Sequence, residues 1–182
     1  MRKPRHLAVA CLGIVALASS VNGLVRGDQP ATPAEIKLVP MTFDDLSKKV
    51  LVNPTAKFTL VDAWATWCAS CKENFPHLVD MHKTYAEHGL SVVSLSMDDP
   101  TDKKAVADAL AFLKEKNATF TNVLLTDENG AGFEKLNVQA IPAVFLYDSN
   151  GKEVHRFTLD DVDNQFTYKQ VEQVVRAKLG LN

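Results

Sequence analysis

The stretch "WATWCASCKENFP", residues 64–76, sets Cys68 and Cys71 three positions apart in a chain whose one other cysteine is Cys11. To its left, "KFTLVDAWA" at 57–65 is short, β-branched and aromatic, the composition of a buried strand. To its right, from 68 to 88, the apolar spacing becomes helical: Phe75, Leu78, His82 and Tyr85 fall on one face with Cys71, and Gly89 closes the segment. Pro76 lacks the amide that would bond the carbonyl of Lys72, so a bend is expected there. The cysteine pair therefore marks the point where a buried strand turns into a helix, which requires an α/β arrangement.

Three uses of such a pair can be compared. As a structural staple it closes a loop of only four residues, worth about 2 kcal/mol in the chain-entropy model. With 182 residues and 46% hydrophobic content, the chain can bury one sizeable core without it. As a metal site the pair supplies two of the four ligands zinc needs. No second cysteine pair completes the set, and His77, His82 and His88, five and six apart, do not align on one helix face. No metal or cofactor is expected, although a copper site built from two thiolates and one distant histidine stays open. The third use is thiol–disulfide exchange. The unpaired amides and positive dipole end of a starting helix favour a thiolate at Cys68, while Cys71, one turn in on the apolar face, is expected to be more shielded and less acidic. The first thiol attacks and the second resolves the mixed disulfide.

The remaining elements follow from local signals. Thr42 caps a short helix through residue 49, with Asp45 at its third position, and Asn53-Pro54 breaks the chain. "LSVVSLSM" at 90–97 reads as a buried strand. Asp99 and Pro100 read as N-cap and first residue of a helix to about residue 116, with Val106, Ala109, Leu110 and Leu113 inward. A strand at 122–126, a short helix at 133–136, a hairpin of 143–148 and 153–159 about Ser149-Asn150-Gly151, and a helix from 167 to 179 ending at Gly180 complete the order. Trp64, Phe58 and Phe75 read as core, and Asp98, Asp99 and Asp102 as capping residues rather than a cation site. Alternating strands and helices with a late hairpin predict a mixed sheet with helices on both faces.

The front of the chain differs. Arg2, Lys3 and Arg5 precede an apolar run at 7–18 and the small residues Ala18, Ser19 and Ser20, the order of an export signal at 1–20. Cleavage after Ser20 or Gly23 competes with an uncleaved anchor reaching about residue 25. Cys11 lies too early in the apolar run for a lipid-attachment site and reads as a small apolar residue of the signal. Residues 21–40 carry Pro30, Pro33 and Pro40 and read as a linker or extended arm, leaving 41–182 as the folded domain. Loss of 1–20 removes three basic and no acidic groups, taking the formal charge from −2 to −5, which gives no electrostatic footprint for nucleic acid.

"VDAWATWCASCK" with Pro76, followed about seventy residues later by "AIPAVFLYDSNGKEV", resembles the thioredoxin superfamily, and within it the exported TlpA/ResA-like thiol–disulfide oxidoreductases. The resemblance spans about residues 36–180 and implies a three-layer α/β sandwich with a mixed central sheet and an inserted βα element within about 98–125. It implies that Cys68 and Cys71 form a redox-active disulfide, that Trp67 packs beside them, and that Pro142 is the cis proline lying against it. The backbone of Ile141 is then left to pair with a substrate strand. Asp62, six residues before Cys68, matches the buried acid that handles the proton of the resolving cysteine, and a carboxyl inside "TLVDAW" is expected to have a raised pKa. Its other reading is a strand-end aspartate with a satisfied hydrogen bond.

The implied function is exchange with protein disulfides, as a reductase fed by a membrane electron donor and serving cytochrome c maturation or redox homeostasis. The implied protein is monomeric and exported, periplasmic or otherwise extracytoplasmic, meeting the membrane only through an N-terminal anchor. A peroxiredoxin-type thiol peroxidase is an alternative, but Thr66 stands two rather than three residues before Cys68; a copper-delivery or partner-binding module is another. Three features depart from the family: Ala69-Ser70 stands where thioredoxins have Gly-Pro, Asn74 where a glutamate is frequent, with Glu73 next to it, and Ser94 near the place of the lysine beside the buried aspartate.

Overall fold

A computed structural model describes residues 35–128, 131–159 and 165–181. The signal, the anchor and most of the arm lie outside them. Among the described residues no helix is long and apolar enough to cross a membrane.

The chain opens with strand β1 (Val39–Met41) and helix α1 (Phe43–Leu46), capped by Thr42, whose Oγ1 accepts the amide of Asp45 at 3.2 Å. A wider π-helical turn, Ser47–Leu51, continues it. Then follow β2 (Phe58–Trp64), α2 (Ala69–Tyr85), β3 (Leu90–Ser96), α3 (Lys103–Glu115), β4 (Thr121–Leu125), α4 (Ala131–Leu136), β5 (Ala143–Asp148), β6 (Glu153–Phe157) and α5 (Tyr168–Leu179). After α2, a short 3₁₀ turn ends at Gly89, which takes a left-handed φ of 100° where a side chain would be strained. Pro76 falls inside α2, on its exposed side.

Two expectations change. Helix α3 starts three residues later than Asp99-Pro100 suggested: Asp102 is the N-cap, its carboxylate accepting the amides of Lys104 and Ala105. Asp99 instead accepts the amide and hydroxyl of Thr101 and closes the preceding turn. Of the three aspartates read as capping residues, only Asp102 caps a helix; Asp99 closes the turn before it, and Asp98 bonds Thr66 and Ser96. Secondly, Val39 and Pro40, read as the end of the arm, belong to β1, and Ile36 and Leu38 before it pack against the core.

The six strands lie in the order β1-β4-β3-β2-β5-β6. β1, β4, β3 and β2 run parallel, whereas β5 pairs antiparallel with β2, and β6 with β5. The α3–β4 pair is the inserted βα element, and it places β4 between β1 and β3.

Side-chain alternation separates the layers. Trp64 meets Phe75 of α2 at 5.3 Å and Phe112 of α3 at 5.0 Å, and Tyr85 of α2 donates to Glu172 of α5 at 2.5 Å, so α2, α3 and α5 cover one face. On the other face Arg156, opposite Phe145, donates to the carbonyls of Leu136 and Asn137 at the end of α4, and Lys135 of α4 pairs with Asp44 of α1. The sheet is thus an inner layer with helices on both sides. Helix α4 approaches it closely at Gly132, where a Cβ would run into the Leu125 side chain.

Candidate active site

Strand β2 ends at Trp64, and the chain turns through Ala65, Thr66 and Trp67 into α2, with the Cys68 amide bonded to the Ala65 carbonyl at 3.1 Å. Asp98, buried at the end of β3, holds this turn: it accepts the amide of Thr66 at 3.0 Å, the Thr66 hydroxyl at 2.6 Å and the Ser96 hydroxyl at 2.8 Å. The Thr66 hydroxyl weighed for a peroxidatic site is therefore committed to Asp98 and serves to anchor the loop.

Cys68 is the N-cap of α2, extended at φ −89° and ψ 100°, and its Sγ accepts the Cys71 amide at 3.2 Å. The Ser70 hydroxyl lies 3.6 Å from the same sulfur. Cys68 and Cys71 are joined in a disulfide. Cys71 is 1% exposed and Cys68 7%, the order expected but with Cys68 more covered than the expectation of an exposed attacking thiol. The segment before β5 lies against it: Ile141–Pro142 is a cis peptide, and the Ile141 carbonyl oxygen is 3.7 Å from Cys68 Sγ.

Asp62 is fully buried in the middle of β2, with Ser94 of β3 and Val144 of β5 as its strand neighbours. It shares a face with Trp64, two residues on, and that face is covered by the side of α2 that carries Cys71 and Phe75. Burial disfavours the carboxylate and raises Asp62 to about 7, partly offset by a hydrogen bond from Tyr168. Tyr168 Oη donates to Oδ2 at 2.6 Å, and Oδ1 has no hydrogen-bond partner. Burial and the neighbouring Asp62 push the Tyr168 phenol well above its ordinary range. Ser94, where thioredoxins place a lysine near the acid, donates to Asn122 Oδ1 at 2.7 Å.

Sequence reasoning missed Tyr168 and Asp98 as parts of this site. Tyr168 lies 106 positions from Asp62, but its signal is present: it heads the buried stripe Tyr168, Val171, Val175 and Leu179 of α5, and a buried phenol needs an acceptor. Trp67 differs from its expected packed position. It is 64% exposed and borders a groove of about 680 Å³ lined also by Met97, Pro100, Leu125 and Phe133. Among the described residues no three His, Cys, Asp or Glu side chains are grouped to hold a metal.

This geometry can be set beside known proteins. The sequence matches the Redoxin family over residues 40–175. It is 26% identical over 146 residues to the thiol-disulfide oxidoreductase ResA of Oceanobacillus iheyensis, covering 80% of this chain and 72% of that protein. To the thiol:disulfide interchange protein DsbE of Allochromatium vinosum it is 25% identical over 153 residues, or 84% and 77% of the two chains. The crystal structure of a candidate DsbE from Chlorobium tepidum superposes with a TM-score of 0.55 at 30% identity, covering 69% of this chain and 82% of that one. Since the cysteine pair falls within the matched segment, the chain belongs to the Redoxin family of the thioredoxin superfamily, and is a thiol–disulfide oxidoreductase related to ResA and DsbE.

Proposed function

We propose that the protein is an exported reductase of protein disulfides. The observation that carries the direction is the set of groups around Cys68. Its Sγ meets the Cys71 amide, the Ser70 hydroxyl and the Ile141 carbonyl oxygen, all neutral, and no histidine or lysine is among its partners in the described residues. Strong oxidants of this chemistry owe their potential to a heavily stabilised reduced thiolate. A thiolate held by one amide and one hydroxyl gains less, which favours giving electrons over taking them.

In the cycle, the Cys68 thiolate attacks a substrate disulfide, aligned by strand pairing with the backbone of Ile141 beside Pro142, and releases one substrate thiolate. Cys71 then attacks Cys68 Sγ. The Cys68–Cys71 bond forms, the bond to substrate breaks, and two electrons have passed to the substrate. The Cys71 proton goes to Asp62, whose pKa of about 7 suits a group that accepts and returns a proton near neutrality. Trp67 borders the approach to Cys68 and contributes substrate contacts. Electrons return through a membrane donor. Export is supported by the basic, apolar and small segments of residues 1–20, and a role in cytochrome c maturation or redox homeostasis by the family resemblance.

A redox titration against glutathione or dithiothreitol tests the direction. The reading predicts a two-electron potential below about −200 mV, and a value near about −120 mV overturns it. Cys68→Ser should abolish reduction of insulin disulfides, while Cys71→Ser should accumulate mixed disulfides with the natural substrates.

A further inference from the structure

The buried acid is held from a distant part of the chain. Tyr168, the first residue of α5, reaches across the layer to Asp62 on the central strand. We propose that Tyr168 is a positioning residue for proton transfer in the resolving step: its phenol fixes Oδ2 of Asp62 and leaves Oδ1 as the oxygen that receives the Cys71 proton. This rests on Asp62 being the proton acceptor. The geometry is specific in three respects. The Oη to Oδ2 distance is 2.6 Å between two buried residues, so the bond is not shared with solvent. Oδ1 is buried and unpartnered, hence open to a proton. The strand neighbour Ser94, the other polar side chain positioned to serve the acid, spends its hydroxyl on Asn122.

The phenol donates to the charged carboxylate and therefore opposes the effect of burial, keeping the acid ionisable near neutral pH. Among the described residues, the groups beside this pair are few. On α2, His77 stacks its ring on Tyr168 at 5.8 Å and Cys71 lies on the buried side of the helix; Phe166, just before α5, meets the Tyr168 ring at 5.9 Å, and on β3 and β5 the neutral Ser94 and Val144 flank Asp62. In the step itself Cys71 loses a proton to Oδ1 as its sulfur bonds to Cys68, the substrate sulfur leaves as a thiolate, and Asp62 later releases the proton to solvent.

The test follows the Asp62 side-chain carboxyl carbon by NMR in the oxidised full protein. There the cysteines do not titrate, and His77 is distinguished by its own signals. Tyr168→Phe should move the Asp62 midpoint upward by about one pH unit and, in the reduced enzyme, lower the rate of insulin reduction at pH 7 about fivefold. Fluorotyrosine at position 168, which keeps the shape and makes a stronger donor, should move the midpoint downward. This second variant keeps the test open if the phenylalanine protein folds poorly. If neither substitution moves the midpoint while Asp62→Asn removes the neutral limb of the pH–rate profile, the role of Tyr168 is overturned and the role of Asp62 stands. If Asp62→Asn leaves that limb in place, the reading of Asp62 fails first.

Discussion

Burial of the Asp62 carboxyl makes part of the protein's stability depend on pH. Its ordinary value of 3.8 applies in the unfolded chain, and burial raises it to about 7 in the fold. Between those values the native state holds a proton that the unfolded state has released, so the stability contributed by this one group is full below about pH 4 and is lost as pH rises through 7. The difference of about three pH units corresponds to roughly 4 kcal/mol lost across the window. Urea unfolding of the oxidised protein should show this decline, and Asp62→Asn should flatten it, being more stable than the parent at about pH 8. An unchanged slope in the variant would mean that Asp62 is not the group responsible. The acid was legible in the sequence because one carboxyl inside an apolar strand has few uses. Its partner was not, since nothing local to Tyr168 indicates which of the strands beneath α5 it will touch.

At the level of elements, strands and helices were legible where apolar periodicity was long, as in β2, α2 and α5, and less so where capping chemistry offered two choices. Asp99-Pro100 and Asp102 both suit a helix start, and the buried Ala109 and Leu113 fit either; in the fold it is Asp102 that accepts the amides of Lys104 and Ala105. β1 was hidden because a three-residue edge strand containing Pro40 has the composition of a linker, and its pairing with β4 is fixed by the inserted element rather than by its own sequence. The loop into α2 depends on Asp98, whose role needs the turn to be seen in three dimensions. Asp98→Ala would leave the amide and hydroxyl of Thr66 and the Ser96 hydroxyl without their acceptor, and should destabilise the protein by about 2–4 kcal/mol and slow insulin reduction. Asp102→Ala strips only the cap of α3, should cost about 1 kcal/mol, and should leave the reduction rate unchanged. Equal losses of activity in the two variants would show that global stability, not the shape of the loop, sets the rate.

For the molecule as a whole, the inserted α3–β4 pair widens the sheet between β1 and β3. The β3–α3 and β4–α4 connections then stand beside the start of α2 and frame the groove that Trp67 borders. An indole 64% exposed next to Cys68 gains little from folding, because most of its surface stays in water, whereas Trp64, three residues earlier in the same motif, is wholly buried and packs on Phe75 and Phe112. The two tryptophans therefore predict opposite phenotypes. Trp67→Ala should leave the urea midpoint of the oxidised protein nearly unchanged, yet lower kcat/KM for a protein disulfide about tenfold, since aromatic groups bordering a contact surface commonly carry binding energy. The rate with a small disulfide such as cystine, which does not reach along the groove, should change little. Trp64→Ala should instead lower stability by about 3–5 kcal/mol, as expected for a large aromatic removed from a packed core. Equal losses for protein and small disulfides in Trp67→Ala would place the effect on Cys68 itself, and would leave the groove without a part in substrate choice.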